Sequence, residues 1–125
     1  MTGVLVCDDA PDMRALLREV LDADPALHVV GEAGDGVESL RLAEALQPDV
    51  VLLDIGMPGP EPGDVVSGMR RAAPGAAIVV LSGYGAEHLT GAAAAAITAH
   101  LPKTTDLDAL RRTLREAGAA RPRAS

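Results

Sequence analysis

Three acidic residues stand directly behind apolar runs: Asp8 and Asp9 after Val4-Leu5-Val6-Cys7, and Asp54 after Val50-Val51-Leu52-Leu53. Adjacent like charges repel, more strongly at the edge of a low-dielectric interior. A lone acidic pair in a loop would be unremarked, since Asp is common in turns and at helix starts. Two further residues give the pair a context. Ser82 ends the run IVVLS with a hydroxyl, and Lys103 follows the short run Ala99–Leu101. Of eleven basic residues ten are Arg, and Lys103 is the one Lys. A compact, rotatable ammonium can be shared by a phosphoryl group and a carboxylate, where a planar guanidinium fork would crowd them. If the three carboxylates share a pocket, their repulsion costs several kcal/mol unless a cation compensates. All-oxygen ligation with room for water suits Mg²⁺. Carboxylate, Mg²⁺, hydroxyl and ammonium together are the means for aspartyl-phosphate chemistry, with the metal and Lys103 neutralising phosphoryl oxygens.

The elements that must bring these groups together alternate five times. Val4–Cys7 reads as a buried strand, and Met13, Leu16, Leu17, Val20 and Leu21 follow at helical spacing with Pro11 near the helix start. His28–Glu32 is a second strand, after which Asp35-Gly36-Val37-Glu38 has the form of a capping box opening a helix to about Leu46. Val50–Asp54 is an unbroken apolar strand of the doubly covered kind. Val65, Val66, Met69 and Ala73 mark a third helix with Asp64 as its cap; Ile78–Ser82 is the fourth strand. An Ala-rich helix is expected over Glu87–Ile97, a fifth strand over Ala99–Leu101, and a last helix burying Leu107, Leu110, Leu114 and Ala117. Parallel strands need crossover helices, so (βα)₅ implies a three-layer α/β, doubly wound parallel sheet of flavodoxin-like order 2-1-3-4-5. Functional groups then gather at the carboxyl ends of the strands, where strands one and three are neighbours. Residues 1–117 form the domain, and the Arg-, Pro- and Ala-rich end, 118–125, reads as a flexible tail or the start of a linker.

Composition narrows the functions open to the chain. At 125 residues it has single-domain length, with 48% apolar residues but one Tyr and no Phe or Trp. The core must come from aliphatic side chains, and an aromatic stacking platform for nucleic acid is excluded. Eighteen acidic residues against eleven basic ones give a formal charge of −7, unsuited to gripping a phosphate backbone. The single cysteine, Cys7, permits no internal disulfide and reads as a buried structural thiol. No run approaches membrane-spanning length, so a soluble, cytoplasmic protein is expected.

The residues resemble the receiver domain of a two-component response regulator over about residues 3–117. The resemblance rests on DD after the first strand, VVLLDIGMPG around Asp54, the pair Ser82-Gly83, and HLPK ending in Lys103. The stretch HVVGEAGDGVESLRLAEALQPDVVLLDIGMPG, and the absence of Pro after Lys103, resemble receivers that precede a LuxR-type helix-turn-helix output. The resemblance implies that Asp54 takes a phosphoryl group from a sensor histidine kinase and that the chain is not an enzyme on an external substrate. It also implies that Asp9 ligates Mg²⁺ directly, Asp8 directly or through water, and Gly56 through its carbonyl. Ser82 and Lys103 would hold phosphoryl oxygens. Movement of Ser82 would let residue 100 turn inward and switch the face of helix four, strand five and helix five, a possible homodimer surface. DNA contact would come only through an output domain not encoded in this chain, and no membrane partner is implied.

Two departures stand out. His100 replaces the Tyr or Phe usual at its position, making the coupling weaker or pH-sensitive, while His28 and His88 read as surface residues. The loop GPEPGD after Met57-Pro58 is one residue longer than the usual form and carries two extra prolines. Gly56 leaves Asp54 open to water, and beyond Gly83, Tyr84 is placed to shield it and slow phosphoryl loss. The chain could also be a stand-alone receiver acting by protein contact. A nucleotide-binding module is a weaker alternative, because GEAGDG at 31–36 has the wrong glycine order and follows the second strand. An aspartyl-phosphate phosphatase would pair its nucleophile with an acid two residues on, where this chain has Gly56.

Overall fold

The structure, a computed structural model, describes residues 1–83 and 89–120. Five strands, β1 (Thr2–Cys7), β2 (Leu27–Ala33), β3 (Val50–Leu53), β4 (Ala77–Ser82) and β5 (Ala99–Pro102), form one parallel sheet of order β2-β1-β3-β4-β5. The connecting helices are α1 (Pro11–Asp22), α2 (Gly36–Leu46), α3 (Pro62–Ala72), α4 (Gly91–Ala96) and α5 (Leu107–Ala119). The expected (βα)₅ order and topology are therefore those of the molecule.

Side-chain alternation divides the core into two layers. Val4, Val6, Val50, Leu52, Val79 and Leu81 face Leu17 and Leu21 of α1 and Leu110 and Leu114 of α5. Leu5, Cys7, Val51, Leu53, Ile78 and Val80 face Ala43 of α2, Val66 and Met69 of α3 and Ala93 of α4. Each fully buried aliphatic side chain contributes about 1.5–3 kcal/mol. The central strands are apolar on both faces because both faces are covered.

Helix ends follow local chemistry, and several differ from expectation. Asp35 does cap α2, its carboxylate accepting the Glu38 N–H at 2.8 Å. Helix α2 closes on Gln47, whose backbone is left-handed (φ 46°) and whose side-chain amide donates to the Ala43, Glu44 and Ala72 carbonyls. Helix α3 begins two residues ahead of Asp64, at Pro62, whose fixed φ suits the first helical position. Asp64 is thus not the cap but lies in the first turn, where its charge favours the helix N-terminus.

The fourth helix is shorter than its alanines suggest. Thr90 is extended (φ −135°, ψ 168°) and Gly91 has φ +60°, so helix starts only there, and Ile97 is extended again. The expected first turn, including Glu87 and His88, lies outside the described residues, as does Tyr84. At the other end of the chain α5 continues through Ala119, so Gly118 and Ala119 are helical rather than part of the tail. Leu107, at its first position, is 39% exposed and does not belong to the buried stripe. His28 is not a surface residue either: it is half-buried, and its Nδ1 is sealed from solvent without a hydrogen bond.

Helix α5 can carry Gly118 because that residue crosses β1 closely. A Cβ there would lie 2.7 Å from Thr2 Cγ2, 2.8 Å from its Oγ1 and 3.3 Å from its Cβ. Threonine is branched and stiff, so it cannot simply swing away. Overpacking costs about 1–3 kcal/mol, against a helix-propensity gain near 1 kcal/mol for losing glycine. Gly118→Ala is expected to destabilise by up to about 2 kcal/mol, seen as a lower urea midpoint at unchanged slope.

Candidate functional site

With all strands parallel, the carboxyl ends of β1, β3, β4 and β5 lie on one edge, and the chemistry-bearing residues come with them. Asp8 follows β1; its N–H donates to the Ala33 carbonyl (3.0 Å) and its Oδ1 accepts the Ala10 N–H (2.9 Å). Asp54 follows β3; its N–H donates to the Cys7 carbonyl and its Oδ1 accepts the Gly56 N–H, both at 2.9 Å. Lys103, just past β5, donates its backbone N–H to the Ser82 carbonyl (3.1 Å). Its ammonium reaches back across the sheet edge to Asp54 Oδ2 at 3.1 Å and stands 3.9 Å from Asp8 Oδ2.

Asp8 (2% exposed) and Asp54 (4%) are buried, whereas Asp9 is exposed. One carboxylate oxygen from each of the three lies within 4.8 Å of the others. Lys103 is one positive charge against three negative ones, and Asp8 Oδ2 is buried with no hydrogen-bond partner. Such an atom costs about 1–3 kcal/mol or more when charged. Burial is the chief reason the Asp8 carboxyl is held above its ordinary range, with the charges of Asp54 and Asp9 adding to it against the Ala10 N–H and Lys103. Burial alone would lower the Lys103 ammonium, but the hydrogen bond to Asp54 and the charges of Asp54, Asp8 and Asp9 raise it. An all-oxygen donor set, excess negative charge and an orphaned buried oxygen fit a hard divalent cation.

Ser82 is buried at the end of β4, and its Oγ is hydrogen-bonded to His100 Nε2 at 3.2 Å. His100 itself is exposed on β5. Asp9, Asp54 and Lys103 open into a cleft of about 750 Å³, whose lining also includes Gly56 and Ser82. Ile55, Pro62, Leu89 and Ala93 add apolar surface to the same lining. Gly56 is exposed, and a Cβ there would stand 3.3 Å from Asp54 Oδ1; Gly83 faces open space. Small residues at both places leave the Asp54 carboxylate approachable.

Other candidates for chemistry fall away. Cys7 is 1% exposed and burial pushes its thiol up to about 12, so no thiolate is on offer. The glycines of 31–36 form no phosphate cradle: the Gly36 N–H donates to the Pro58 carbonyl (3.2 Å) and the Glu38 N–H to Asp35. Among the described residues no helix is long and apolar enough to cross a membrane. The resemblance couples Ser82 to residue 100 by movement, and the structure adds a direct hydrogen bond between them; Arg14, whose Nη1 donates to the Asp8 carbonyl at 2.6 Å, has no signal in the sequence.

The family model of the response regulator receiver domain matches residues 4–115. The chain is similar to the nitrate/nitrite response regulator protein NarP of Escherichia coli, 42% identical over 79 residues, covering 63% of this chain and 37% of that protein. It is also similar to protein-glutamate methylesterase/protein-glutamine glutaminase 4 of Myxococcus xanthus, 56% identical over 55 residues, covering 44% and 16%. The chain thus spans well under half the length of these curated relatives. Among solved structures it superposes on a LuxR-family two-component response regulator from Aurantimonas with a TM-score of 0.85 at 26% identity, covering 97% of this chain and 87% of that one.

Proposed function

Because the chain belongs to the response regulator receiver domain family, we propose that Asp54 is its phosphoacceptor, charged by a phosphohistidine of a sensor kinase. One observation carries the reading. Asp54 presents a buried carboxylate held by Lys103 at 3.1 Å, beside two further acids, one of which has a buried oxygen with no hydrogen-bond partner. In the transfer an Asp54 oxygen bonds to phosphorus as the phosphorus–nitrogen bond breaks, and the electron pair returns to the imidazole. Lys103 neutralises charge on the transferred group, and Ser82 donates its hydroxyl to a phosphoryl oxygen. Asp8, Asp9, Asp54 and the Gly56 carbonyl would hold Mg²⁺, which when bound supplies further charge neutralisation at the phosphoryl oxygens.

The output side of the proposal runs through the Ser82–His100 pair. A hydroxyl drawn to the phosphoryl group changes the hydrogen bond it makes with His100, and so biases the face of α4, β5 and α5. That face is the proposed contact for a second copy or an output partner. The residues after Ala119 are proposed as the start of a linker, and DNA recognition as the task of a LuxR-type domain beyond them, in keeping with the LuxR-family structural relative. A stand-alone receiver acting by protein contact remains the second arrangement of the same chemistry. Gly56, Gly83 and Tyr84 are proposed to govern water access to the phosphoryl group, and the cytoplasm is proposed as the protein's location, because a sensor kinase draws on nucleotide there.

The test is intact mass after incubation with acetyl phosphate and Mg²⁺. The parent is expected to gain the mass of one phosphoryl group and Asp54→Asn to gain none. An unmodified parent, or equal uptake by Asp54→Asn, would overturn the reading.

A further inference from the structure

Asp8 has two backbone polar groups and two carboxylate oxygens. Its N–H is tied to Ala33 in β2 and its Oδ1 to the Ala10 N–H. Its carbonyl is tied to a side chain, the guanidinium of Arg14, at 2.6 Å. Only Oδ2 has no hydrogen-bond partner, and it belongs to the acidic cluster. Arg14 is itself braced from β2: its Nε stands 3.6 Å from Glu32 Oε1, while Glu32 Oε2 accepts from Arg18 Nε at 2.6 Å. The guanidinium lies against Gly34, where a Cβ would be 3.2 Å from Nη1, so the absence of a side chain there leaves it room.

We propose that Arg14 is a positioning residue for the cation seat, fixing the Asp8 peptide so that Oδ2 is presented to the cluster before any cation arrives. The inference rests on the reading of Asp8, Asp9 and Asp54 as that seat. A cation brought up to a loosely held carboxylate must first order it; a clamped one has met that entropy cost in folding. Arg14 is suited to the task because its fork can donate to a carbonyl through one nitrogen and face Glu32 with another. Glu32 also offsets the positive charge that would otherwise oppose a second cation nearby. Lysine at this position could reach the carbonyl but not brace itself on Glu32 at the same time.

The test compares Mg²⁺ affinity, by calorimetric titration of the unphosphorylated protein, with urea stability measured in chelator. Arg14→Ala is expected to weaken Mg²⁺ on the order of tenfold, in the range found when groups that orient metal ligands are removed. Arg14→Lys is expected to recover part of that loss. Arg18→Ala, which removes a neighbouring pair to Glu32 without touching Asp8, should leave the affinity within about twofold, as for exposed ion pairs. Hydrogen exchange at the Ala10 amide, the donor to Asp8 Oδ1, should quicken in Arg14→Ala. Affinity of Arg14→Ala within about twofold of the parent, or equal losses for Arg14→Ala and Arg18→Ala, would overturn the clamp while leaving the functional reading intact. A parent that shows no saturable Mg²⁺ binding would overturn the functional reading, and this inference with it.

Discussion

Lys103→Ala is expected to slow phosphoryl uptake from acetyl phosphate by about 10²–10³-fold, the usual loss when one preorganised donor to a developing oxyanion is removed. Lys103 holds the ammonium that bonds Asp54, at 3.1 Å, and it is also within 3.9 Å of Asp8. Its folded pKa is raised by those acids, so its stabilising contribution is fully present below the ordinary lysine value. That contribution is lost only as pH rises through the raised value, in strong alkali. The charge is therefore constant across the neutral range, and pH dependence of uptake there must come from other groups. Mg²⁺ affinity should move the other way from rate. Removing an ammonium that competes for the same carboxylates leaves them freer to take a cation, so Lys103→Ala is expected to bind Mg²⁺ at least as tightly as the parent. Lys103→Arg should recover little of the rate, because a planar fork cannot share the narrow space between carboxylate and phosphoryl group. Time courses of intact mass, paired with Mg²⁺ titrations, separate the two effects. Equal loss of rate and of Mg²⁺ affinity would instead mean that Lys103 merely holds the pocket together.

The expected strand order followed from the succession of apolar runs and helical patterns, because parallel crossovers leave few arrangements open. The convergence of Asp8, Asp9, Asp54, Ser82 and Lys103 followed from the order, since each stands at a strand's carboxyl end. What could not be read depended on pairing rather than on type. The Ser82–His100 contact exists because β4 and β5 align Val80 with His100 and Ser82 with Pro102, which brings the hydroxyl and the ring to diagonal positions. Arg14 sits in the first turns of α1, where an arginine is ordinarily a solvated charge; only the packing of α1 beside the end of β2 turns it toward the Asp8 carbonyl.

Helix boundaries failed where two local signals competed. Asp64 is a good cap by type, but Pro62 preset the helix earlier. The alanines of α4 favour helix all along and mark no start, so Thr90 and Gly91 decided it through backbone conformation. Gly118 falls by composition at the start of the tail, yet it lies inside α5, and its missing side chain is what lets the helix pass Thr2. In each case a residue's role was set by what lies across from it, which no local window contains.

The same logic makes the acidic cluster a place where stability is given up for a site. In chelator and at neutral pH, Asp8→Asn is expected to be more stable than the parent by about 1 kcal/mol, the scale typical of relieving a functional strain. An asparagine keeps an oxygen for the Ala10 N–H and replaces the charged oxygen, which has no hydrogen-bond partner and only Lys103 at 3.9 Å, with a neutral amide. The sign follows from the carboxyl's raised pKa. A group whose folded pKa lies above its unfolded value contributes stability that is present below the unfolded value and lost as pH rises through the folded one. Parent and variant should therefore be nearly equal in acid, below the ordinary carboxylate range. The variant should pull ahead as pH climbs through the raised Asp8 value and hold a constant lead beyond it. Mg²⁺ reverses the ranking. At a concentration about 100 times its dissociation constant a bound cation adds about 2.7 kcal/mol to the parent, and the variant, short of one anionic ligand, should gain far less. Urea midpoints with and without Mg²⁺, at acid and neutral pH, give the four values needed. If the variant proved less stable than the parent in chelator at neutral pH, the Asp8 carboxylate would already be compensated by Lys103 and other contacts within the protein, and the case for a cation among the three acids would be lost.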